Sequence, residues 1–434
     1  MSTGEEAVEA AVEEFAADVV VCGSGVAGLA AALALDRLGV DVCLLDKQVR
    51  PAPVWKGEVL QPGSLATLHD WDVLARLEDR SAVRLRRLVA RSAAGAELLA
   101  MDFGLLGGER PWMLAHDYPT ILDCLGRALS PAVRVLRGVL ATDVLTDAEG
   151  RVRGVSARQG ARELRIRARL VVAADGMSSR LRKQSGIEVS PIAYDHRLLS
   201  FELPGVPELH DEVSAHVTER GLVMVYPLPA DRTRVYVQVG PEEVRGLSEQ
   251  ELRAWCEALV QQVPALGPLA KTLEANLERR QLLPVWRYRA PVLVRPGLVL
   301  AGEAAHVVHP LAAQGMNTSI ADARALAARL AGTELADPVA TDAALRGYER
   351  DRGGRISDVH TMSHNAARMM TSTSRVQRLL GRRALKGTAG HPRLRHLVTY
   401  NMSGLGMRPL TTLDRLVQLG ALPDVRARGF RAPG

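Results

Sequence analysis

Asp18-Val19-Val20-Val21-Cys22-Gly23-Ser24-Gly25-Val26-Ala27-Gly28 runs directly into Leu29-Ala30-Ala31-Ala32-Leu33-Ala34-Leu35. The unbroken apolar run reads as a buried parallel strand, GxGxxG as the turn behind it, and the alanine-rich stretch as a helix. Gly23 permits the tight turn, Gly25 lets backbone approach a diphosphate, and Gly28 allows close helix–strand packing. With Val26 and Ala27 these glycines form a cradle whose free N–H groups sit at the positive end of a helix dipole. A second strand over 40–45 ends at Asp46, about 20 residues beyond Gly28, where a carboxylate accepts hydrogen bonds from ribose hydroxyls. Lys47, next to it, joins the candidate cofactor set. A dinucleotide is implied, and FAD and NAD remain unresolved.

Two later stretches resolve that choice. Leu170-Val171-Val172-Ala173-Ala174-Asp175-Gly176 is another buried strand, continued by Met177-Ser178-Ser179-Arg180-Leu181-Arg182. Leu298-Val299-Leu300-Ala301-Gly302-Glu303-Ala304-Ala305-His306 is a third, leading through Pro310 to Gln314-Gly315-Met316-Asn317.

Together the three stretches resemble the para-hydroxybenzoate-hydroxylase-like, or group A, flavoprotein monooxygenases, which carry GxGxxG, DGxxSxxR and GDxxHxxxPxxGxGxN in this order. The resemblance implies an α/β fold, with a Rossmann-like FAD-binding domain interrupted by a mixed β-sheet substrate domain and a helical C-terminal region. It implies that Asp175 and Gly176 serve the FAD diphosphate, and that Asp175, Ser179 and Arg182 serve the approach of NADPH or NADH. Gly302 and Glu303 are then expected at a ribityl or ribose hydroxyl, and Pro310 at the isoalloxazine. Gly315, Met316 and Asn317 are expected at the pyrimidine edge, where a helix N-terminus also stabilises the negative charge of reduced flavin. The implied reaction uses NAD(P)H and O2 to epoxidise or hydroxylate a hydrophobic secondary metabolite of prenyl, alkene, aromatic or polyketide type through a flavin hydroperoxide. Its alternatives are a flavin-dependent reductase or dehydrogenase of a similar substrate, and a flavin-binding protein without turnover.

Three departures from the family pattern bear on cofactor affinity. Glu303 replaces the usual Asp. Ala313 stands where the last loop has its first Gly, and Ala is strained if φ is positive there. His116-Asp117-Tyr118-Pro119 lacks the arginine often found at that helix start. A fourth segment, Lys56-Gly57-Glu58-Val59-Leu60-Gln61-Pro62-Gly63-Ser64, resembles the GExLQPGG stretch of squalene epoxidases, which lies beside the flavin. Lys56, Gln61 and Pro310 are thus the candidate catalytic residues, with Lys56 the nearby cation.

Expected boundaries are an acidic, solvated tail over 1–17, helical near its end, and a discontinuous FAD-binding domain over 18–80, 104–190 and 285–345. A substrate sheet takes 81–103 and 191–284, and a basic helical region takes 346–434. Alternation over 83–103 and 196–239 reads as antiparallel strands, with Tyr194, His196, Tyr226 and Tyr236 as packing residues or pocket-facing bases. His306 and His309 lie beside the flavin loop, and His306 reads as structural. Ser248 with Glu251 begins a helix with a capping box.

The chain has 434 residues and a net charge of +6. Its basic excess lies in 346–434, without the interleaved aromatics of a nucleic-acid module. No apolar run reaches the ~20 residues of a membrane span. The acidic N-terminus is unlike a targeting leader, and the expectation is a cytoplasmic protein. Cysteines at 22, 43, 124 and 256 lack metal-ligand spacing and read as reduced and buried, so no metal is expected. From about 346 onward the pattern is helical, and the stretch 357–385, with Met362, Met369, Met370, Val376, Leu379 and Leu380, reads as amphipathic. Its apolar residues are assigned to core or lid packing, with peripheral membrane contact left open. The oligomeric state stays undetermined.

Overall fold

The computed structural model describes residues 12–50, 57–205 and 211–430. Its first sheet is centred on the strand Glu13–Cys22, held in parallel register by Arg162–Ala173 on one side and Val42–Asp46 on the other. Leu298–Leu300 extends it beyond Arg162–Ala173, and Arg134–Arg137 beyond Val42–Asp46, both parallel. Residues 19–22 are buried, with a strand on either side. Such a strand needs a continuous apolar run rather than alternation. The helix Val26–Asp36 is buried along nearly its whole length, between Gln314–Leu330 and Tyr118–Gly126. Alanines suit it because both neighbouring helices approach closely.

The register aligns the carboxyl ends of these strands. Cys22 lies opposite Ala173 and Leu45, and Ala173 opposite Leu300. Each motif therefore leaves the sheet at the same edge, where open α/β sheets bind ligands.

Residues 13–17, expected as the end of a solvated tail, instead extend the first strand. Glu13, Glu14 and Asp18 pair with Arg162, Arg167 and Arg169 of the neighbouring strand. Phe15 packs against the core between them. The matching basic strand lies some 150 residues away, where local reading of the tail does not reach. The rest of the tail, 1–11, is outside the described residues.

A second eight-stranded sheet runs in the order His306–Val307, Gln281–Arg289, Ile192–Pro204, Arg232–Val239, Leu222–Leu228, Glu212–Val217, Arg87–Ser92 and Glu97–Asp102. Gly95 turns the last hairpin at φ +88°, near the alternation expected over 83–103. One sheet face packs on the helix Glu249–Gln262, which starts with the expected capping box of Ser248 and Glu251. The other face meets Leu311 and Ala312 and the C-terminal helices. A small sheet of Val59–Leu60, Met113–Ala115 and Val83–Leu85 lies at the junction.

The helical, amphipathic stretch expected over 357–385 falls on two helices, Pro338–Thr371 and Arg375–Gly390. The break falls at Ser372-Thr373-Ser374, whose hydroxyls offer the backbone alternatives to helical bonding. The two helices fold back tightly at Gly381, where a Cβ would lie 2.4 Å from the Met369 carbonyl oxygen. Met370 is buried and Met362 and Met369 are partly so, while Val376, Leu379 and Leu380 point to solvent.

Candidate cofactor cleft and active site

A cleft of about 230 Å3 opens at the aligned strand ends. Of the expected cofactor residues, Gly25, Val26, Ala27, Gly176, Glu303, Pro310, Gly315 and Met316 line it, and so does Gln61. Gly23, Gly28 and Gly302 stand behind the wall, and each is required by close approach. A Cβ on Gly28 would fall 1.7 Å from the Gly23 carbonyl oxygen, and one on Gly302 2.4 Å from the Ala27 side chain. Gly25 is different, because its nearest neighbour would be the Tyr118 hydroxyl at 3.6 Å. The space before it is thus free for a diphosphate to approach backbone.

Asp46 ends its strand with one carboxylate oxygen taking the Ser24 hydroxyl and the other the Gln48 N–H at 2.9 Å. Lys47 is exposed beside it. Asp175 accepts from the Arg180 N–H at 2.8 Å, and its other carboxylate oxygen is buried without a protein partner. Lys56 lies outside the described residues.

Ser179 and Arg182, expected to serve the nicotinamide approach, are turned inward. Ser179 is fully buried and accepts from the Arg182 N–H at 3.0 Å. The Arg182 guanidinium donates to the Tyr288 hydroxyl and the carbonyls of Ala304 and Met177. It ties the Asp-Gly loop to the Gly-Glu loop, and charge-assisted bonds to three oxygens make that tie stiff.

Asn317 joins two other motifs. Its side-chain oxygen accepts from the Gln61 N–H at 2.8 Å, and its amide donates to the carbonyls of Val59 and Ala313. The side chain is therefore committed to holding residues 59–61 against the start of the helix Gln314–Leu330. Ala313, just before that helix, has φ +47° and ψ +34°, the left-handed conformation that its loss of glycine makes costly. No side chain caps this helix, so its first N–H groups stay directed at the cleft. His306 and Arg352 both hold the buried Asp322, at 2.7 and 2.8 Å, and Asp322 accepts from the Gly302 N–H.

Features that local reading missed complete the walls. Tyr118 stands where the family arginine is often found. Its ring would touch a Cβ on Gly57, and burial followed by the Glu303 charge pushes its hydroxyl up to about 12. Among the described residues lining the cleft there is no Arg or Lys. Glu58 is buried in an ion pair with Arg234, and Tyr226 donates to it at 2.8 Å. Tyr226 and Tyr236 both line the cleft. Tyr194 and His196 lie further off, in a ring cluster with His309 and His364. His309 Nδ1 accepts the Leu311 N–H, so its Nε2 carries the proton and faces His196 Nε2 at 2.9 Å.

A second cavity, of about 380 Å3, lies between the same sheet face and the C-terminal helices. Leu88 and Leu311 wall both cavities, and Met101, Met362, Met369, Met370, Met402 and Met407 line the larger one. Sulfur-bearing flexible side chains give such a wall an adaptable apolar surface.

The fit to FAD rests on these donors. The glycine loop leaves backbone open at Gly25, the helix at 314 is uncapped, and both amide atoms of Gln61 are buried without a protein partner. No group of His, Cys, Asp or Glu suited to a metal occurs among the described residues. No described helix is long and apolar enough to cross a membrane.

A family model described as an FAD binding domain matches residues 16–363. The chain is 30% identical to a 6-methylpretetramide 4-monooxygenase of Streptomyces rimosus, over 83% of this chain and 85% of that one. It is 25% identical to squalene epoxidase 4 of Arabidopsis thaliana, over 74% of this chain and 63% of the relative. The fold matches p-nitrophenol 4-monooxygenase PnpA from Pseudomonas putida DLL-E4 with a TM-score of 0.76 at 22% identity, covering 92% of this chain and all of that one. With the three motifs converging on one cleft, the chain belongs to the FAD-binding-domain family of group A-type flavoprotein monooxygenases.

Proposed function

We propose that this protein uses NADPH or NADH and O2 to hydroxylate or epoxidise an apolar substrate, of aromatic, polyketide-like or prenyl type, too large for the cofactor cleft alone. The observation that carries this reading is the adjacency of the two cavities, which share Leu88 and Leu311 as walls. The larger one has the volume of a small-molecule site and an apolar, methionine-rich wall. The relatives' names support ring hydroxylation first, and the squalene relative supports an alkene second.

Bound FAD supplies the oxygen activation, and the protein's work is placement and shielding. Gly25, Val26 and Ala27 would receive the diphosphate, with Asp46 at the adenosine ribose and Glu303 at a flavin-side hydroxyl. The N–H groups of Gly315 and Met316 would favour negative charge on the pyrimidine edge. Gln61 would donate or accept through its amide beside the ring, and Pro310 would bound the reacting face. Leu88, Leu311 and the methionines would hold the substrate and keep water out, which suppresses unproductive peroxide release. Asp175 and Gly176 would serve both the FAD diphosphate and the approach of the nicotinamide. In this scheme segments 18–80, 104–190 and 285–345 serve the cofactor, and 81–103 with 191–284 serve the substrate.

The test is oxygen uptake with NADPH and with NADH, paired with 18O2 labelling of products from polyketide, squalene-like and polyprenyl candidates. Label in a product supports the reading. Anaerobic NAD(P)H oxidation that reduces the substrate without oxygen insertion would make the protein a reductase and overturn it.

A further inference from the structure

The helix Arg375–Gly390 turns Gly381, Ala384, Leu385 and Thr388 inward, toward the larger cavity. Val376 and Leu379 lie on its outer side and Leu380 on the flank at the cavity's edge, and the three are 67%, 68% and 48% exposed. These three occupy positions i, i+3 and i+4 and so form one stripe. Single exposed apolar residues are ordinary, but an exposed triad on one helix face calls for a partner.

The surroundings state the partner's charge. Arg375, Arg382, Arg383 and Lys386 are all exposed on the same helix, which contains no acid. Between Asp358 and Asp414 the chain has Lys or Arg at 368, 375, 378, 382, 383, 386, 393, 395 and 408 and not one Asp or Glu. Arg378 is held by Glu219 and the Thr373 carbonyl, so it is partly spent, whereas Arg375 and Arg382 have no ion pair among the described contacts. A second copy would bring the same basic field against itself. An anionic lipid surface satisfies both features, since the apolar stripe enters the acyl boundary while the cations meet headgroups.

We propose that the Arg375–Gly390 face docks this protein on anionic membrane. Leu380 and Gln377 also line the larger cavity, so docking sets the mouth of that cavity against lipid. The docking stands apart from the oxygenation reading, because neither flavin nor turnover enters it.

The test is flotation of the full-length flavoprotein with phosphatidylcholine vesicles and with vesicles carrying about one third phosphatidylglycerol. The expected result is binding to the anionic vesicles at least about tenfold stronger than to phosphatidylcholine, and weakened by salt. Val376→Glu with Leu379→Glu should abolish it, and Arg375→Glu with Arg382→Glu should weaken it. Both pairs should leave the melting temperature and the flavin spectrum unchanged, because the side chains are exposed. No flotation above the phosphatidylcholine level, or flotation retained in both variants, overturns the proposal. So does a lipid-free dimer, seen by light scattering, that the Val376→Glu, Leu379→Glu pair dissolves.

Discussion

Arg234 and Glu58 form an ion pair removed from solvent, at 2.6 Å from Nη2 to Oε1 and 2.9 Å from Nε to Oε2. The pair joins the segment bordering the cleft to the middle of the second eight-stranded sheet. The Arg234 guanidinium also reaches Glu202 at 2.8 Å. Both oxygens of Glu58 are taken, so this carboxylate is a brace rather than a free base. Arg234→Met would leave a buried charge unpaired and is expected to destabilise the protein by about 3–5 kcal/mol. Adding Glu58→Gln should recover part of that loss. Urea unfolding of the single and double variants measures it, and a single-variant loss below about 1 kcal/mol would contradict the brace.

Gly25 and Gly28 belong to one motif but should respond differently to the same change. Gly28→Ala drives a methyl group onto the Gly23 carbonyl, and the expected result is insoluble or unfolded protein. Gly25→Ala meets only ordinary contacts, so it should fold with a near-native melting temperature. Its methyl group would stand between backbone and diphosphate, lowering FAD affinity about tenfold or more. Flavin fluorescence titration checks this, and equal effects from both changes would refute the separate roles.

Ala313 holds a left-handed conformation at the start of the helix Gln314–Leu330. Ala313→Gly should relieve that strain and stabilise the protein by about 0.5–1 kcal/mol, after allowing for the looser unfolded chain. Thermal unfolding shows the sign. A lower melting temperature would mean that the Ala313 methyl group contributes more by packing than its backbone costs.

His309 and His196 together are expected to make the protein's stability fall in acid. Burial, then the charges of His196 and His364, push His309 down to about 3 from an ordinary value near 6.5. His196 is lowered as well, mainly by burial, with Asp195 opposing. The unfolded chain therefore binds more protons than the folded one below about pH 6.5. Stability is full above that value and falls as the pH drops toward about 3. Protonating His196 would also set two N–H groups against each other across the 2.9 Å contact with His309. His309→Asn, which keeps an acceptor near the Leu311 N–H, should flatten the fall in melting temperature between roughly pH 7 and about 5. A residual slope is expected because His216, His360, His364 and His396 are lowered too. An unchanged slope in the variant would remove His309 from the cause.

By itself the chain's order of residues determined the cofactor half of this protein. Apolar runs before Gly23, Asp175 and Gly302 are local signals, since burial on both faces of a parallel strand demands a continuous apolar run wherever its partners lie. At Ala313 the family pattern showed a missing glycine, and the structure supplied the positive φ that makes it matter. Only the tertiary structure decided what depends on which strand lies beside which. It matched Glu13 and Glu14 to a basic strand, turned Ser179 and Arg182 inward, and set Arg234 on Glu58. It also closed the methionine-rich cavity between a sheet and helices from opposite ends of the chain, and left Val376, Leu379 and Leu380 outside. Burial and charge pairing are properties of distant partners, and periodicity along one segment carries no record of them.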